Sequence, residues 1–194
     1  MLKDYKKTGR ETFELVVKRM GEFLTDSDMH RFLGQDTQII KYSQLKFAPN
    51  IEVLLPDPKS QIIILVESER NSGHWCSIAR DGFIITTFDS YGCEIDKEMS
   101  FISKSMKSML GEKKNEISEL MNRSPGFSFE YNHVKFQSLK KVDGVVPATC
   151  GRWVVFFIWM MRQHYTLQQL QEYMENLKKE TDLPYDFLIC ILVK

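Results

Sequence analysis

Residues 151–162 form a run whose middle contains only Trp, Val, Phe, Ile and Met, so it is apolar on every side. A helix of that kind is stable in water only when the rest of the protein surrounds it. The run is too short to span a bilayer and too long for a typical strand. The sequence therefore predicts a buried helix here, inside a chain of 194 residues that we interpret as one domain spanning 1–194.

A cysteine stands at the start of this helix. Thr149 is a suitable N-cap residue, which would place Cys150 in the first helical turn. The unpaired backbone amides and the positive end of the helix dipole favour a thiolate at that position, as a nucleophilic cysteine requires. A buried structural cysteine is the ordinary alternative, so Cys150 alone does not define a function.

A histidine and an aspartate lie upstream, at the two ends of a predicted hairpin. Asp81-Gly82 is a strong signal for a two-residue turn, and the flanking residues have strand character over 75–80 and 83–89. A turn centred on that dipeptide places His74 directly across from Asp89, on the same face and with the Cα atoms about 5 Å apart. The carboxylate can then fix the imidazole tautomer and leave the other ring nitrogen for a thiol. A surface His–Asp pair without a catalytic role is the alternative.

Four motifs follow one another in the order HW (74–75), FDSYG (88–92), a glutamine and TCGRW (149–153). In this combination, over roughly residues 26–161, the chain resembles the adenain-like and ubiquitin-like-protein-specific cysteine proteases of the CE clan. The resemblance is strongest to the small maturation proteases of virophages and related double-stranded DNA viruses and transposons. It implies that Cys150 is the nucleophile, His74 the general base and acid, and Asp89 the residue that orients His74.

The resemblance also assigns roles to Gln137 and Trp75. The family places a glutamine shortly before the cysteine as a donor into the oxyanion hole, and Gln137 is the best match if residues 140–147 loop out. Gln163 lies at the far end of the cysteine helix and cannot reach its N-terminus. In the alternative, Gln137 only ends a strand and backbone amides of 145–149 form the hole. Trp75 is similar to the tryptophan that roofs a narrow, glycine-admitting channel, a role that requires the regular strand to begin after it.

The implied activity is hydrolysis of a peptide or isopeptide bond through a thioester. The resemblance implies a viral maturation endopeptidase that cleaves capsid or other structural precursors at Gly-containing sites, with the protein substrate as its partner. A deubiquitinase or deSUMOylase acting on ubiquitin-like modifiers uses the same chemistry, as does acetyl transfer within the clan. From a different class, a catalytically silent binding module is the alternative, against which the intact His, Asp and Cys argue.

Cysteine usage and the first residues predict an intracellular protein. The four cysteines show no framework spacing and the initial segment is no signal peptide, so we expect a protein of the host cytoplasm or viral factory, packaged in the virion and not secreted. No run is long and apolar enough for a membrane span. His74, Cys76, Cys93 and Cys150 lack CxxC or HxxxH spacing, so neither a metal nor another cofactor is expected. Cys76 shares a face with His74 by alternation and is interpreted as a bystander thiol.

The charge pattern gives no general argument for nucleic acid, because the formal net charge is 0. Four lysines surround one helical stretch, but glutamates interrupt them, which is typical of a solvated helix face: Lys104, Lys107, Lys113 and Lys114 with Glu112, Glu116 and Glu119. Adenain uses DNA as a cofactor, so the resemblance leaves weak DNA association open. The sequence does not indicate an oligomeric state.

The remaining pattern predicts an α+β domain. Helices are expected over 11–24, 26–34 and 166–179, strands over 51–55, 61–67, 127–137 and 185–193, and a broken helical insertion over 95–122. We therefore expect an adenain-like fold, with a mixed, mainly antiparallel sheet flanked by helices and the cysteine helix buried against it.

Overall fold

The computed structural model describes residues 10–111 and 115–194. Within them, five strands form one sheet in sequential order: β1 Gln38–Lys41, β2 Gln61–Glu69, β3 Ser72–Asp81, β4 Ile84–Asp89 and β5 Ser128–Tyr131. The long central pairings, β2 with β3 and β3 with β4, are antiparallel, whereas the edge strands β1 and β5 pair in parallel. The predicted α+β class and mixed sheet are confirmed.

Helices cover both faces of this sheet. In chain order they are α1 Arg10–Gly21, α2 Asp26–Leu33, α3 Ile51–Leu54, α4 Lys104–Leu110, α5 Glu116–Asn122, α6 Cys150–Arg162, α7 Leu167–Thr181 and α8 Tyr185–Leu192, with 3-10 turns at Tyr42–Phe47 and Lys97–Phe101. None of these helices is long and apolar enough to cross a membrane. The initial segment and the lysine pair Lys113 and Lys114, both used in the sequence interpretation, fall outside the described residues.

The alternation of side chains along β2 creates two separate cores. Ile63 and Leu65 point into a cluster with α1, α2, α6, α7 and α8, while Ile62 and Ile64 point into a second cluster with the Tyr42–Phe47 turn, α3 and α5. All four side chains are buried. Because successive strand residues face opposite sides, a continuous apolar strand is what a sheet covered on both faces requires.

Helix α6 is the buried helix that the sequence predicts, and a glycine allows it to lie close to β3. A Cβ atom added to Gly151 would lie 2.9 Å from Leu24 Cβ and 3.3 Å from Trp75 Cδ1, so a larger residue would push the first turn away. Further along α6, Phe157 stacks on Phe88 of β4 with ring centroids 4.6 Å apart. These contacts fix the start of α6, and therefore Cys150, beside the strand that carries His74.

The hairpin between β3 and β4 has a different register from the predicted one. Asp81 pairs with Ile84, which leaves Gly82 as the first loop residue at φ +60°. Positive φ at the first of two loop residues suits a type II′ turn. A type I′ turn, which Asp-Gly favours, needs positive φ at both loop residues. Asp89 consequently lies opposite Cys76 instead of His74. A shift of two positions keeps the same face of the strand, and diagonal neighbours remain within reach of long side chains.

The predicted strand at 51–55 is wrong, because the structure has helix α3 there. The Asn50 side chain accepts a hydrogen bond from the Val53 amide at 3.2 Å, and Ser124 accepts one from the Ile51 amide at 2.9 Å. Both bonds satisfy amides that a short helix leaves unpaired at its start.

The predicted strand at 185–193 is also wrong, since the residues form helix α8. Pro184 precedes the helix, and the apolar residues that follow are buried between α1, α6 and α7. A fully buried run does not show from its pattern alone whether it is strand or helix. Tertiary packing decides the outcome here.

The predicted strand over 127–137 is shorter in the structure, where β5 ends at Tyr131. The Asn132 side chain donates to the carbonyl oxygens of Asp89 at 2.7 Å and Val134 at 2.9 Å. It thereby supplies hydrogen bonds to an irregular segment that runs past the end of β4 toward Gln137.

Candidate active site

His74 and Asp89 are hydrogen-bonded across the hairpin despite the change in register. The distance between His74 Nε2 and Asp89 Oδ1 is 2.6 Å, and their side chains are 15% and 6% exposed. Tyr91 holds both partners: its ring stacks on the imidazole at 4.5 Å between centroids, and its amide donates to Asp89 Oδ1 at 2.9 Å. The carboxylate is thus fixed from two sides and determines how the imidazole is oriented.

Cys150 begins helix α6 and contacts the same imidazole. Burial on its own raises the pKa of the Cys150 thiol, but the hydrogen bond to His74, the charge of His74 and the backbone amides of Trp75 and Gly151 lower it below its ordinary value of 9.0. Hydrogen bonds and a nearby positive charge stabilise the thiolate more than the thiol. The site therefore favours the nucleophilic form of Cys150.

The pKa of His74 shifts in the complementary direction. Burial lowers the pKa of His74, but the charge of Cys76 and hydrogen bonds with Asp89 and Cys150 outweigh it, so the pKa lies well above 6.5. A protonated imidazole beside a deprotonated thiol is an ion pair, and each charge supports the other. In this ion pair Cys150 is a thiolate and His74 carries a proton that it can donate.

Thr149 does not cap α6 with its side chain, contrary to the predicted role. Its backbone is helical, and its hydroxyl donates instead to Asp186 Oδ1 at 2.6 Å. The other oxygen of Asp186 accepts the amides of Ser138 and Leu139, each at 3.0 Å. Asp186, which is fully buried, therefore ties the residue before Cys150 to the segment after Gln137.

The sequence interpretation missed Asp186 because it lies in the run assigned to a strand. One signal was available: it is the single acid within the apolar segment 185–193. A lone carboxylate among residues that become buried must find donors, so its position marks a polar junction. The pKa of the Asp186 carboxyl is raised, because burial outweighs the three hydrogen-bond donors that lower it.

Gln137 lines the same cleft as His74 and Cys150. Its Oε1 accepts from the Ser90 hydroxyl at 3.0 Å, and its Nε2 donates to the Pro147 carbonyl at 3.1 Å. One of the two amide hydrogens is used in this way. Residues 138–149 do loop out, with a bridge between Val142 and Val145. Ser90, within the FDSYG motif, is a second residue that the sequence interpretation missed.

The Trp75 side chain does not reach the cleft. Strand β3 begins at Ser72, so regular alternation already applies at Trp75 and points its ring to the face opposite His74. There its indole N–H donates to the Leu24 carbonyl at 3.0 Å. The condition for the predicted channel-roof role is therefore not met, and Trp75 contributes its backbone amide to Cys150 instead.

The cleft has a volume of about 560 Å³ and an apolar rim. Phe23, in the link between α1 and α2, lines it and is 73% exposed. Arg152 donates to the Glu22 carbonyl at 2.7 Å, and the neighbouring Leu24 carbonyl accepts the indole of Trp75, so the link is held on both sides of Phe23. An extended peptide entering the cleft would meet this aromatic ring.

No protein-family model matches the chain. The sequence is similar to that of the uncharacterized protein V9 of Sputnik virophage, with 25% identity over 170 residues that cover 87% of this chain and 93% of that protein. The similarity agrees with the virophage part of the sequence interpretation. It does not assign a protease family.

Proposed function

We propose that the chain is a cysteine endopeptidase with an adenain-like fold, in which Cys150 is the nucleophile, His74 the acid and base, and Asp89 the orienting carboxylate. The proposal is carried by one observation, the continuous hydrogen-bonded series from Asp89 through His74 to Cys150. A nucleophile next to a base that a third group orients is the general arrangement for acyl transfer. The Gln137 amide in the same cleft adds support.

The first half of the reaction forms a thioester. The Cys150 thiolate attacks the carbonyl carbon of the scissile bond, and negative charge develops on the carbonyl oxygen. The second amide hydrogen of Gln137 and the Cys150 backbone amide are the donors proposed for that oxygen. As the C–N bond breaks, His74 gives its proton to the leaving amine, and the substrate's acyl group remains on sulfur.

The second half releases the acid. With Nε2 held by Asp89, Nδ1 of the now neutral His74 is the nitrogen left to take a proton from water. The resulting hydroxide equivalent attacks the thioester, the C–S bond breaks and the thiolate is regenerated. His74 is again protonated, so the ion pair is restored for the next cycle.

The proposed substrate is a capsid or other structural precursor cleaved at a Gly-containing site during virion maturation. The similarity to a virophage protein favours this substrate class over a cellular ubiquitin-like modifier. The glycine preference comes from the sequence resemblance. Capsid precursors from the same viral genome are the first substrates to examine.

The test is cleavage of a proteome-derived peptide library by purified protein, read by mass spectrometry. Wild type is expected to cleave, and Cys150→Ala is expected to be inactive with an unchanged circular dichroism spectrum. Cys190→Ala is the matched control, because Cys190 is fully buried in the helical core and burial raises its pKa to about 12. Equal cleavage by Cys150→Ala would end the cysteine-protease proposal, and a wild type that neither cleaves nor is alkylated at Cys150 would support a silent binding module.

A further inference from the structure

A third donor atom lies beside His74 and Asp89. Cys76 is the direct cross-strand partner of Asp89 and shares its strand face with His74. The ligand atoms of these three side chains, which we call the His74–Cys76–Asp89 cluster, all lie within 4.8 Å of one another. The ligand set conceivable from the sequence alone is different, with Cys93 and Cys150 joining His74 and Cys76. The change in hairpin register is what brings Asp89 to Cys76.

The three donors match the chemistry of a thiophilic divalent cation. Imidazole nitrogen, thiolate sulfur and carboxylate oxygen are the usual ligands of zinc, at about 2.0–2.3 Å from the ion, so tetrahedral ligand atoms lie about 3.3–3.7 Å apart. The atoms of the cluster lie within 4.8 Å of one another, and the His74–Asp89 pair, at 2.6 Å, is closer than two ligands of one ion. Small side-chain rotations on two rigid, paired strands would equalise these distances.

A small cavity borders two of the three donors, Cys76 and Asp89, and His74 is not among its lining residues. Its volume is about 20 Å³, and Cys76, Asp89 and Cys93 are among the residues that line it. A single water-sized sphere needs about 10–15 Å³, so the cavity holds one atom and little more. Cys93 also lines the large cleft, which places it between the cavity and solvent. Access from the cleft therefore passes Cys93.

We propose that the His74–Cys76–Asp89 cluster binds one thiophilic divalent cation of the zinc class and that binding withdraws His74 from Cys150. On binding, Cys76 coordinates as the thiolate, and His74 Nε2 releases its proton to solvent as it exchanges its hydrogen bond with Asp89 for a bond to the metal. The remaining imidazole proton then stays on Nδ1. A ring nitrogen that carries a proton cannot accept another, so the imidazole no longer serves as a base toward Cys150 or water.

The two roles of His74 are thus mutually exclusive, and the metal acts as an inhibitor. Metal binding itself does not depend on the proposed peptidase activity; only the inhibitory consequence rests on it. Measuring binding in the Cys150→Ala variant separates the two, because this variant keeps the cluster and lacks the other thiol in contact with His74.

The binding test uses Cd²⁺ and Zn²⁺ alone, on tag-free protein carrying Cys150→Ala. Cd²⁺ should give a saturable ultraviolet thiolate charge-transfer band at one ion per chain, and calorimetry should give the same stoichiometry for Zn²⁺. Adding Cys76→Ala should remove the band and weaken Zn²⁺ binding by at least about a hundredfold, since losing a ligand costs more than losing a residue that only supports a ligand. Adding Cys93→Ala instead is the matched control and should preserve both signals.

Three results would overturn the site. They are no saturable binding at one ion per chain, a band that survives Cys76→Ala in a protein whose circular dichroism is unchanged, and a band lost equally in Cys93→Ala. For the inhibitory role, Zn²⁺ should inhibit peptide cleavage reversibly, and Cys76→Ala in an otherwise wild-type chain should need at least about tenfold more Zn²⁺. Equal inhibition of both would show that zinc acts directly at Cys150.

Discussion

At the scale of single residues, the site is defined by the specific contacts of His74 and Cys150. His74 meets Asp89 through one nitrogen, and Cys150 meets His74 and two backbone amides. Burial opposes charge on both reactive groups, but the partners more than offset it. The contacts of these residues therefore predict a thiolate that forms at lower pH than in a free cysteine, and a proposed oxyanion donor whose loss affects the rate.

The pKa directions predict the pH dependence of Cys150 reactivity. The thiolate fraction rises through a pKa that is lowered from 9.0, and His74 loses its proton through a pKa that is raised well above 6.5, so the ion pair dominates between these two pKa values. Alkylation of Cys150 by iodoacetamide should be nearly constant there, whereas a free thiol gains about tenfold in rate per pH unit up to its pKa. His74→Ala should move the rise to higher pH. If the alkylation rate of wild-type Cys150 depended on pH in the same way as that of glutathione, the result would contradict the ion pair.

Gln137→Ala should reduce the rate of acylation more than it weakens substrate binding, because in the proposed mechanism its amide donates to charge that exists only in the transition state. By comparison with other oxyanion-hole donors, kcat should fall about a hundredfold or more with a smaller change in KM. Gln163→Ala, at the other end of α6, is the matched control and should behave as wild type. If Gln137→Ala changes only KM, the backbone amides of residues 145–149 become the better candidates for the hole.

At the scale of elements, the start of α6 depends on α8. Asp186, in the first turn of α8, accepts from the Thr149 hydroxyl and from two amides of the loop that follows Gln137. A helix start would ordinarily be capped by its own Thr149 side chain. Here a carboxylate from a second helix accepts from that hydroxyl, so the position of Cys150 is coupled to the packing of α8.

Asp186→Ala should lower the free energy of unfolding by about 2–4 kcal/mol, because the buried Thr149 hydroxyl and two part-buried amides lose their acceptor. It should also reduce kcat at temperatures where the protein remains folded, since Thr149 precedes Cys150. Asp186→Asn keeps the shape but replaces an acceptor by a donor, so its effect should be intermediate. Urea unfolding and initial rates give both quantities, with the exposed Glu180→Gln as control. An Asp186→Ala protein as stable and active as the control would remove this coupling.

At the scale of the whole molecule, one sheet separates two apolar cores, and the site lies where the sheet meets α6. Phe88 belongs to both the sheet and the helical core: it is 1% exposed and stacks on Phe157 and Phe136. It is also the residue next to Asp89. The packing that stabilises the domain is therefore continuous with the packing that positions the carboxylate.

Phe88→Ala should reduce the free energy of unfolding by about 3–5 kcal/mol, the range for removing a buried aromatic side chain. Phe47→Ala removes the same side chain at a position that is 76% exposed, and should change stability by no more than about 0.5 kcal/mol. Urea titration of both variants beside wild type measures the difference. Similar losses at the two positions would mean that Phe88 does not connect the sheet to α6 as described.

Local signals in the sequence predicted the elements whose cause is local. The capping box predicted at Thr166 begins α7, and both of its hydrogen-bond pairs are present. The cap expected within Asp26-Ser27-Asp28 lies one residue earlier, at Thr25, which begins α2 with a capping box to Asp28. The apolar run after Cys150 forms α6 because no arrangement other than burial suits it. The strand character around Asp81-Gly82 gives the hairpin, and period-two alternation places His74 and Asp89 on one face.

What the sequence determined by itself is therefore the set of residues that can react and the faces on which they lie, since both follow from side-chain chemistry and backbone period. Only the tertiary structure decided the hairpin register, the hydroxyl partner of Thr149 and the helical state of 185–192. For each of these features the local sequence allows alternatives of similar energy, and long-range packing selects one of them. The same register also placed Cys76 opposite Asp89, a neighbour that no local pattern specifies.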